Sequence, residues 1–307
     1  MYVVGVDVGG TKTAVMLAKY RDNDGNVEFL ERRQEATSHH WETTLERIAD
    51  TAAAMLKKYP DAKETEKIGG ISCGGPLSSD RKYILSPPNL PGWDQVPITE
   101  YLGTRLEMPF YMENDADACA LAEWKYGAGT GTENMIFLTF GTGLGAGLIL
   151  NGKLYRGSGG MAGEIGHIRM RPDGPIGYGK KGSLEGFCSG GGISRLAEGK
   201  GLHVSTKELA DMAQKGDQTA LEIFRESGRV FGEGLAILVD LLNPEVIVAG
   251  SVYARCRQFL EPYMRESLER ESLLPSRQGC RILPAGLGEK IGDYGAVMAA
   301  ITGWQER

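Results

Sequence analysis

Short stretches of this chain are apolar without a break, and longer ones are apolar at every third or fourth position. Residues 2–8 are almost continuously apolar, a Gly-Gly turn follows, and 13–18 are apolar again, which predicts two strands joined by a tight turn. The spacing of Leu45, Ile48, Ala52, Met55 and Leu56 predicts a helix over 42–59. A short buried strand is expected at 68–73, a proline-rich loop with Asn89 and Trp93 over 86–97, and an Ala-, Leu- and Glu-rich helix over 115–126. Strands at 135–140 and 146–150 precede Asn151-Gly152, a strong hairpin signal. A glycine-rich stretch, 157–192, separates them from helices at 206–215 and 219–242, a strand at 246–249 and a closing helix at 293–302. Strands and helices alternate after the early hairpins, so the class is α/β with mixed sheets. No short tandem repeat is present. The strand-turn-strand units near 5–18 and 137–150 look alike, which suggests two related halves facing one cleft.

Composition narrows the functions open to such a chain. At 307 residues, two domains or one large one can bury a core without disulfides or structural metal. The net charge of -6 lacks the basic excess of a nucleic-acid-coating surface, so no nucleic-acid partner is expected. Backbone amides can still bind phosphate locally. Five scattered cysteines, none at metal-ligand spacing, read as reduced thiols. The N-terminal segment has no basic region or cleavage pattern, and no stretch of about 18 residues is continuously apolar. No signal peptide and no membrane span are expected, and the expected location is cytoplasmic.

Four polar motifs interrupt the pattern. In Asp7-Val8-Gly9-Gly10-Thr11-Lys12-Thr13, an aspartate inside an apolar strand is costly to bury without a partner such as Mg²⁺ or its water shell. The glycines leave amides free to face phosphate oxygens, with Thr11 adding a hydroxyl. The spacing is not that of a Walker loop, and a plain hairpin with a hydrogen-bonded Asp7 explains the motif equally well. Residues 141–146 in Phe140-Gly141-Thr142-Gly143-Leu144-Gly145-Ala146-Gly147 match the dinucleotide spacing G-x-G-x-x-G/A. That loop must open a helix, whereas 148–154 reads as a strand and hairpin. A second phosphate-binding hairpin with Thr142 and Gly143 as donors fits better; tight packing of sheet edges is the alternative. Glu113-Asn114-Asp115-Ala116-Asp117 stands before a helix, where Asn or Asp is usually an N-cap. Three acids in five residues exceed what a cap needs, so Asp115 is a candidate general base and Asn114 a candidate ligand. Glu164 and His167 are three apart, and Glu185 follows. Such a set suits a polyol, whose hydroxyls both donate and accept.

Together these segments resemble the ROK family of sugar kinases and repressors, within the actin-like ATPase superfamily. The matching text is Asp7-Val-Gly-Gly-Thr-Lys, Gly74-Gly-Pro-Leu, Pro88-Asn-Leu-Pro-Gly-Trp, Glu113-Asn-Asp-Ala, Phe140-Gly-Thr-Gly-Leu-Gly-Ala-Gly and Gly160-Met-Ala-Gly-Glu-Ile-Gly-His, with Val246-Ile-Val-Ala-Gly250 later. The resemblance implies two actin-like (ribonuclease H-like) domains around a central cleft, 1–113 plus 291–307 and 114–290. It implies an ATP-dependent hexose kinase acting on a hydroxyl, the 6-OH, with glucose as the first expected sugar. The catalytic base falls on Asp115, and the sugar ligands on Gly75, Asn114, Asp115, Glu164, His167 and Glu185. ATP contacts fall on Asp7, Gly9, Gly10, Thr11, Lys12, Thr142, Gly143, Gly145 and Gly250, and Asp7 holds Mg²⁺ through water. Closure of the domains over the sugar would exclude water. A homo-oligomer, dimer or tetramer, is expected.

One departure matters. The family's zinc site combines the histidine of the Glu-x-Gly-His motif with three cysteines, and those positions here are Ile176, Tyr178 and Ser183. A structural zinc takes about four N or S ligands. Only His167 remains, so no zinc is expected. Alternatives are an N-acetylglucosamine or N-acetylmannosamine kinase, a catalytically silent sugar-binding protein, and a sugar-sensing repressor. The repressor would need a helix-turn-helix ahead of Asp7, for which the sequence shown leaves no room.

Overall fold

The computed structural model describes residues 1–63 and 65–307. In chain order the first elements are β1 (Tyr2–Val8), β2 (Lys12–Arg21), β3 (Asn26–Ala36), α1 (Trp41–Lys57), β4 (Lys67–Cys73), α2 (Ile98–Leu106), β5 (Phe110–Asn114) and α3 (Asp115–Tyr126). Then come β6 (Met135–Leu138), β7 (Ala146–Leu150), β8 (Lys153–Leu154), the small hairpin β9 (Ile176–Gly177) and β10 (Lys180–Lys181), α4 (Leu184–Cys188), α5 (Gly190–Gly199), α6 (Thr206–Gln214) and α7 (Gln218–Leu242). The chain closes with β11 (Val246–Ala249), α8 (Ser251–Glu271), α9 (Leu274–Gln278), β12 (Arg281–Pro284) and α10 (Ile291–Gln305).

Two five-stranded sheets carry the fold, in the orders β3-β2-β1-β4-β5 and β12-β11-β6-β7-β8. In each, the first strand in sequence pairs antiparallel with the second and parallel with the fourth, and the fifth adds in parallel. One layout is therefore used twice, the arrangement implied by an actin-like resemblance. The described residues fall into two compact units, 1–122 with 158–160 and 289–307, and 123–157 with 161–288. The division falls inside α3, at Ala122.

Each sheet is covered according to its pattern. β1 is buried on both faces except at Asp7, with α10 packed along β1, β4 and β5. Glycine permits the close approach: a Cβ at Gly70 would strike the Ala296 carbonyl and the Ala300 amide nitrogen of α10. Behind α1, Leu45, Ile48, Ala52 and Met55 join Val15 and Leu17 of β2 in the first core. In the second unit α7 and α8 pack on each other, and Phe140, Phe231 and Tyr253 lie at its centre. Glu123, with no exposed surface, accepts from the amides of Ala128, Gly286 and Leu287 at 2.8, 3.0 and 2.9 Å. That single carboxylate ties the end of α3 to the connection after β12.

The expected strands and helices are present with small shifts of their ends. The structure adds β3, α2, β5, α5, α8, α9 and β12. It also fills the glycine-rich 157–192 stretch with β9, β10, α4 and a 3-10 turn at Ile165–His167. β3 is an outer strand whose residues are nearly all exposed or half-buried, so no apolar alternation marks it. α8 is rich in Arg and Glu and has Pro262 inside it, which hides its period.

Candidate active site

In the first unit, β1 delivers Asp7 to a tight turn. Gly9 N–H donates to the Lys12 carbonyl at 3.0 Å, and the Thr37 hydroxyl donates to the Gly9 carbonyl at 2.7 Å. The amides of Gly10 and Thr11 have no acceptor among the described residues. They lie half-buried and exposed, respectively, as a phosphate-facing turn requires. Gly10 has to be glycine, because a Cβ there would run into the Asn89 carbonyl. Lys12 is exposed at the start of β2.

Asp7 is half-buried, and its carboxyl is pushed up to about 6 by burial, then by the charges of Asp115 and Asp293. The Ser72 hydroxyl and Arg32 oppose this. Its Oδ2 lies 2.5 Å from where a Cβ on Gly292 would stand, so the glycine at the start of α10 makes room for it. A half-buried carboxylate crowded by two others gains from a divalent cation. Mg²⁺ usually takes one or two carboxylates, waters and nucleotide phosphates rather than a full protein cage. Asp7 fits that role.

The base candidate is placed by the junction of β5 and α3. Asp115 is the first residue of the helix. Its Oδ1 accepts from the Ala116 amide at 2.9 Å, and Asn114 Oδ1 accepts from the same amide at 3.0 Å. The cap function is therefore real, and both side chains share it. Asp115 Oδ2 remains directed at Gly74, 3.7 Å from where a Cβ would be; the Asn89 side chain approaches the same point at 3.5 Å. A Cβ on Gly75 would stand 3.3 Å from the Asn114 amide nitrogen. Gly74, Gly75, Asn89, Asn114 and Asp115 are thus gathered in one place. Asp115 is exposed to solvent, yet protein atoms crowd its carboxyl. Burial pushes it above the ordinary carboxylate range, while the Ala116 N–H pulls the other way. The neighbouring Cys73 thiol is fully buried and raised well above its usual value by burial and by Asp115 and Asp7, so it is inert.

Asn89 stood in the sequence in the proline-rich loop and in the Pro88-Asn-Leu-Pro-Gly-Trp segment, without a role at the site. The loop is pinned by Trp93, 1% exposed, whose indole N–H donates to the Ser38 carbonyl at 2.9 Å. A buried tryptophan in a proline-rich segment is the signal that such a loop is held rather than free.

In the second unit the glycine loop joins β6 to β7, a strand and not a helix, which settles the dinucleotide spacing as coincidental. The Gly145 amide donates to Thr139 Oγ1 at 2.9 Å. The amides of Gly190 and Gly191, at the start of α5, donate to the carbonyls of Gly141 and Thr142 at 2.7 and 3.2 Å. The Val252 amide, at the start of α8, donates to the Phe140 carbonyl at 2.9 Å. Two helix N-termini therefore bear on this loop, a setting that favours anions. The amides of Thr142 and Gly143 have no acceptor among the described residues. Gly250 is buried at the turn from β11 into α8, where a Cβ would lie 2.5 Å from the Thr139 carbonyl.

Glu185 is half-buried on α4, and its Oε2 accepts from the Leu144 amide at 3.1 Å. Gly166 wedges against the Leu144 carbonyl and 3.3 Å from the Glu185 Cβ, which brings the 3-10 turn onto the same loop. Glu164 and His167 flank that turn and are exposed. The His167 ring meets Tyr178 edge-on at 6.1 Å, and Lys180 Nζ donates to the His167 carbonyl at 2.8 Å.

The residues at the three zinc positions do not fit the metal. Ile176 and Tyr178 are exposed and offer no thiolate. Ser183 is fully buried, accepts from the Gly186 amide at 3.2 Å and donates to the Gly177 carbonyl at 3.3 Å. Among the described residues no group of three or more His, Cys, Asp or Glu side chains could hold a metal ion. The β9–β10 hairpin, the Ser183 cap and the Lys180 contact hold this segment instead. No helix among the described residues is long and apolar enough to cross a membrane.

Comparison with known proteins places these features in a wider group. The model of the ROK family matches residues 3–302. A glucokinase from Streptomyces coelicolor is 34% identical over 95% of this chain and 95% of its own. An N-acetylmannosamine kinase from Escherichia coli O157:H7 is 32% identical over 82% of this chain and 84% of its own. Among solved structures, the ROK hexokinase from Thermus thermophilus superposes with a TM-score of 0.84 at 31% identity over the whole of both chains. A ROK family glucokinase from Streptomyces griseus, in complex with glucose and AMPPNP, gives 0.75 at 30% identity over 98% of this chain and all of the other.

Proposed function

Since the chain belongs to the ROK family, we propose that it is an ATP-dependent sugar kinase that phosphorylates a hexose, glucose first, on the 6-hydroxyl. The observation that carries this reading is the Asp115 carboxyl: first residue of a helix, beside Gly74 and Asn89, and raised above the ordinary carboxylate range by burial.

In this reading the sugar hydroxyl donates its proton to Asp115 as its oxygen attacks the terminal phosphorus of ATP, and the bond from that phosphorus to the bridging oxygen breaks to release ADP. General-base help of this kind contributes about 10²–10⁴ in rate. A raised carboxyl is a better base than an ordinary one. The rest of phosphoryl transfer is positioning and charge neutralisation. Gly75 and Asn114 in the first unit, and Glu164, His167 and Glu185 in the second, hold the sugar hydroxyls. Gly9, Gly10, Thr11, Lys12, Thr142, Gly143 and Gly145 face the phosphates, and Gly250 leaves room on the adenosine side. Asp7 would hold Mg²⁺, which would supply positive charge for the phosphate oxygens.

An ADP-release assay over glucose, mannose, fructose, allose, N-acetylglucosamine and N-acetylmannosamine tests the proposal. Glucose should give the highest kcat/KM. A preference for an N-acetylhexosamine would support the second reading, which the similarity to an N-acetylmannosamine kinase favours. Tight sugar binding without any turnover would identify a silent sugar-binding protein and overturn both.

A further inference from the structure

Arg81 has no part in the sugar or phosphate contacts, yet the fold spends strain on it. It lies in the turn over 78–83 with φ +57, a backbone region that costs a residue with a side chain roughly 1–2 kcal/mol. The turn is closed by the Arg81 amide on the Ser78 carbonyl at 2.9 Å. The Ser78 hydroxyl also accepts from the amides of Lys82 and Tyr83 at 3.0 and 2.9 Å. Glycine or asparagine would serve such a turn with less strain, so the reason for arginine lies in its side chain.

That side chain is 13% exposed and meets two carboxylates that are 4% and 5% exposed. Nε lies 3.1 Å from Glu113 Oε1, off the N–H axis and so an ion pair rather than a hydrogen bond. NH2 lies 3.6 Å from Asp117 Oδ2 and donates to the Gly160 carbonyl at 3.1 Å. Glu113 and Asp117 stand two residues before and two after Asp115. Buried carboxylates without a cation are costly, and here one guanidinium serves both.

The charged and titratable groups around Asp115 come from every neighbouring element. They are Asp7 on β1, Cys73 on β4, Glu113 on β5, Asp117 on α3 and Arg81 on the turn, with the Asp293–Arg32 pair beyond Asp7. Of the aspartates and glutamates in this set, only Asp7 and Asp115 have no ion-pair partner among the described residues.

We propose that Arg81 is the positioning residue of Asp115: it pairs with both buried acids that bracket the base and locks the β5–α3 junction to the 158–160 segment. The proposal rests on the reading of Asp115 as base and deepens it.

The test follows the Asp115 carboxyl directly, by ¹³C NMR of protein labelled at aspartate, with Asp115→Asn assigning the resonance. Three variants are compared with the parent: Arg81→Met, Glu113→Gln/Asp117→Asn, and all three changes together. In Arg81→Met the titration should move up by about half a unit or more, because losing a cation beside two anions disfavours a third negative charge. In Glu113→Gln/Asp117→Asn it should move down, since the cation is now unopposed. The triple variant, which changes the net charge by only one, should move down by less than the double variant. The acid limb of kcat against pH, measured with the best sugar, should move in the same order. If Arg81→Met does not fold, the double variant decides alone through its opposite sign. A titration unmoved in the folded variants overturns the role of Arg81. A titration that moves as stated, in a protein that phosphorylates no sugar, upholds the placement of charge and removes the kinase reading instead.

Discussion

Oε2 of Glu185 accepts the Leu144 amide at 3.1 Å, so a candidate sugar ligand also braces the second glycine loop. A Cβ on Gly143 would stand 2.9 Å from that same oxygen. Gly143→Ala should therefore displace the Glu185 carboxylate and loosen the Leu144 amide together. The loss of one charge-assisted hydrogen bond is worth about 1.5–3 kcal/mol, so the KM values for sugar and ATP should both rise about tenfold or more. Steady-state kinetics with each substrate varied would check this; a variant with both KM values unchanged would show that the two contacts are independent.

Asp115→Asn keeps the cap, since the amide oxygen can still accept from Ala116, and removes the base. kcat should fall by about 10²-fold or more, with the sugar KM nearly held. Normal turnover in this variant would remove Asp115 from the chemistry.

The Asp7 carboxyl makes a signed prediction about pH and stability. Its value in the folded chain, about 6, lies above the ordinary 3.8. The folded state therefore favours the protonated form. The stabilisation is fully present below the unfolded value and is lost as pH rises from about 4 through about 6. Asp7→Asn should be the more stable protein at pH 7.5 without Mg²⁺, by up to about 3 kcal/mol, and the gap should close toward pH 4. Urea denaturation at several pH values, with chelator present, measures it. The same variant should lose most of its kinase activity. A variant no more stable than the parent at pH 7.5 would mean that Asp7 is already compensated.

Glu123 offers a stability test away from the chemistry. Removing its carboxylate leaves three part-buried amides without their acceptor, at about 1–3 kcal/mol each at most. Glu123→Ala should destabilise by about 3 kcal/mol or more, and Glu123→Gln by less, since one acceptor oxygen survives. Equilibrium unfolding of both would show whether the ranking holds.

The hairpin over 176–181 predicts indifference to zinc. Elemental analysis should find no stoichiometric zinc, and a chelator should leave the Tm and the turnover with added Mg²⁺ unchanged. Ser183→Ala should cost about 1 kcal/mol through loss of the cap. One tightly held zinc per chain would contradict this account.

Much of the fold was legible wherever burial imposes a period. β1, α1, α7 and β11 bury a continuous strand or a helical stripe, and each shows it in its sequence, while α3, buried nearly all round, is marked by its Ala- and Leu-rich composition. β3 and α8 do not, because β3 is an outer strand facing water and α8 is charge-rich with an internal proline. The glycine motifs were legible for a different reason: a turn that must present bare amides tolerates few residues. The roles of Asn89 and Arg81 escaped notice because their importance lies in what they reach, and both residues are carried by loops whose course depends on long-range contacts. Gly292 and Gly166 likewise read as spacers until the side chains beside them are known.

The strand layout used twice sets where this architecture can change. In both sheets the first strand is flanked on both sides, and the glycine turn leaves from its end. The third strand lies at the margin in each, and there the halves differ most: β3 has 11 residues and β8 only 2. A rim strand nine residues longer in one half goes with the same layout of central strands in both. Divergence among such enzymes should therefore gather at these rims, where length is free, while the central hairpins stay fixed to the residue.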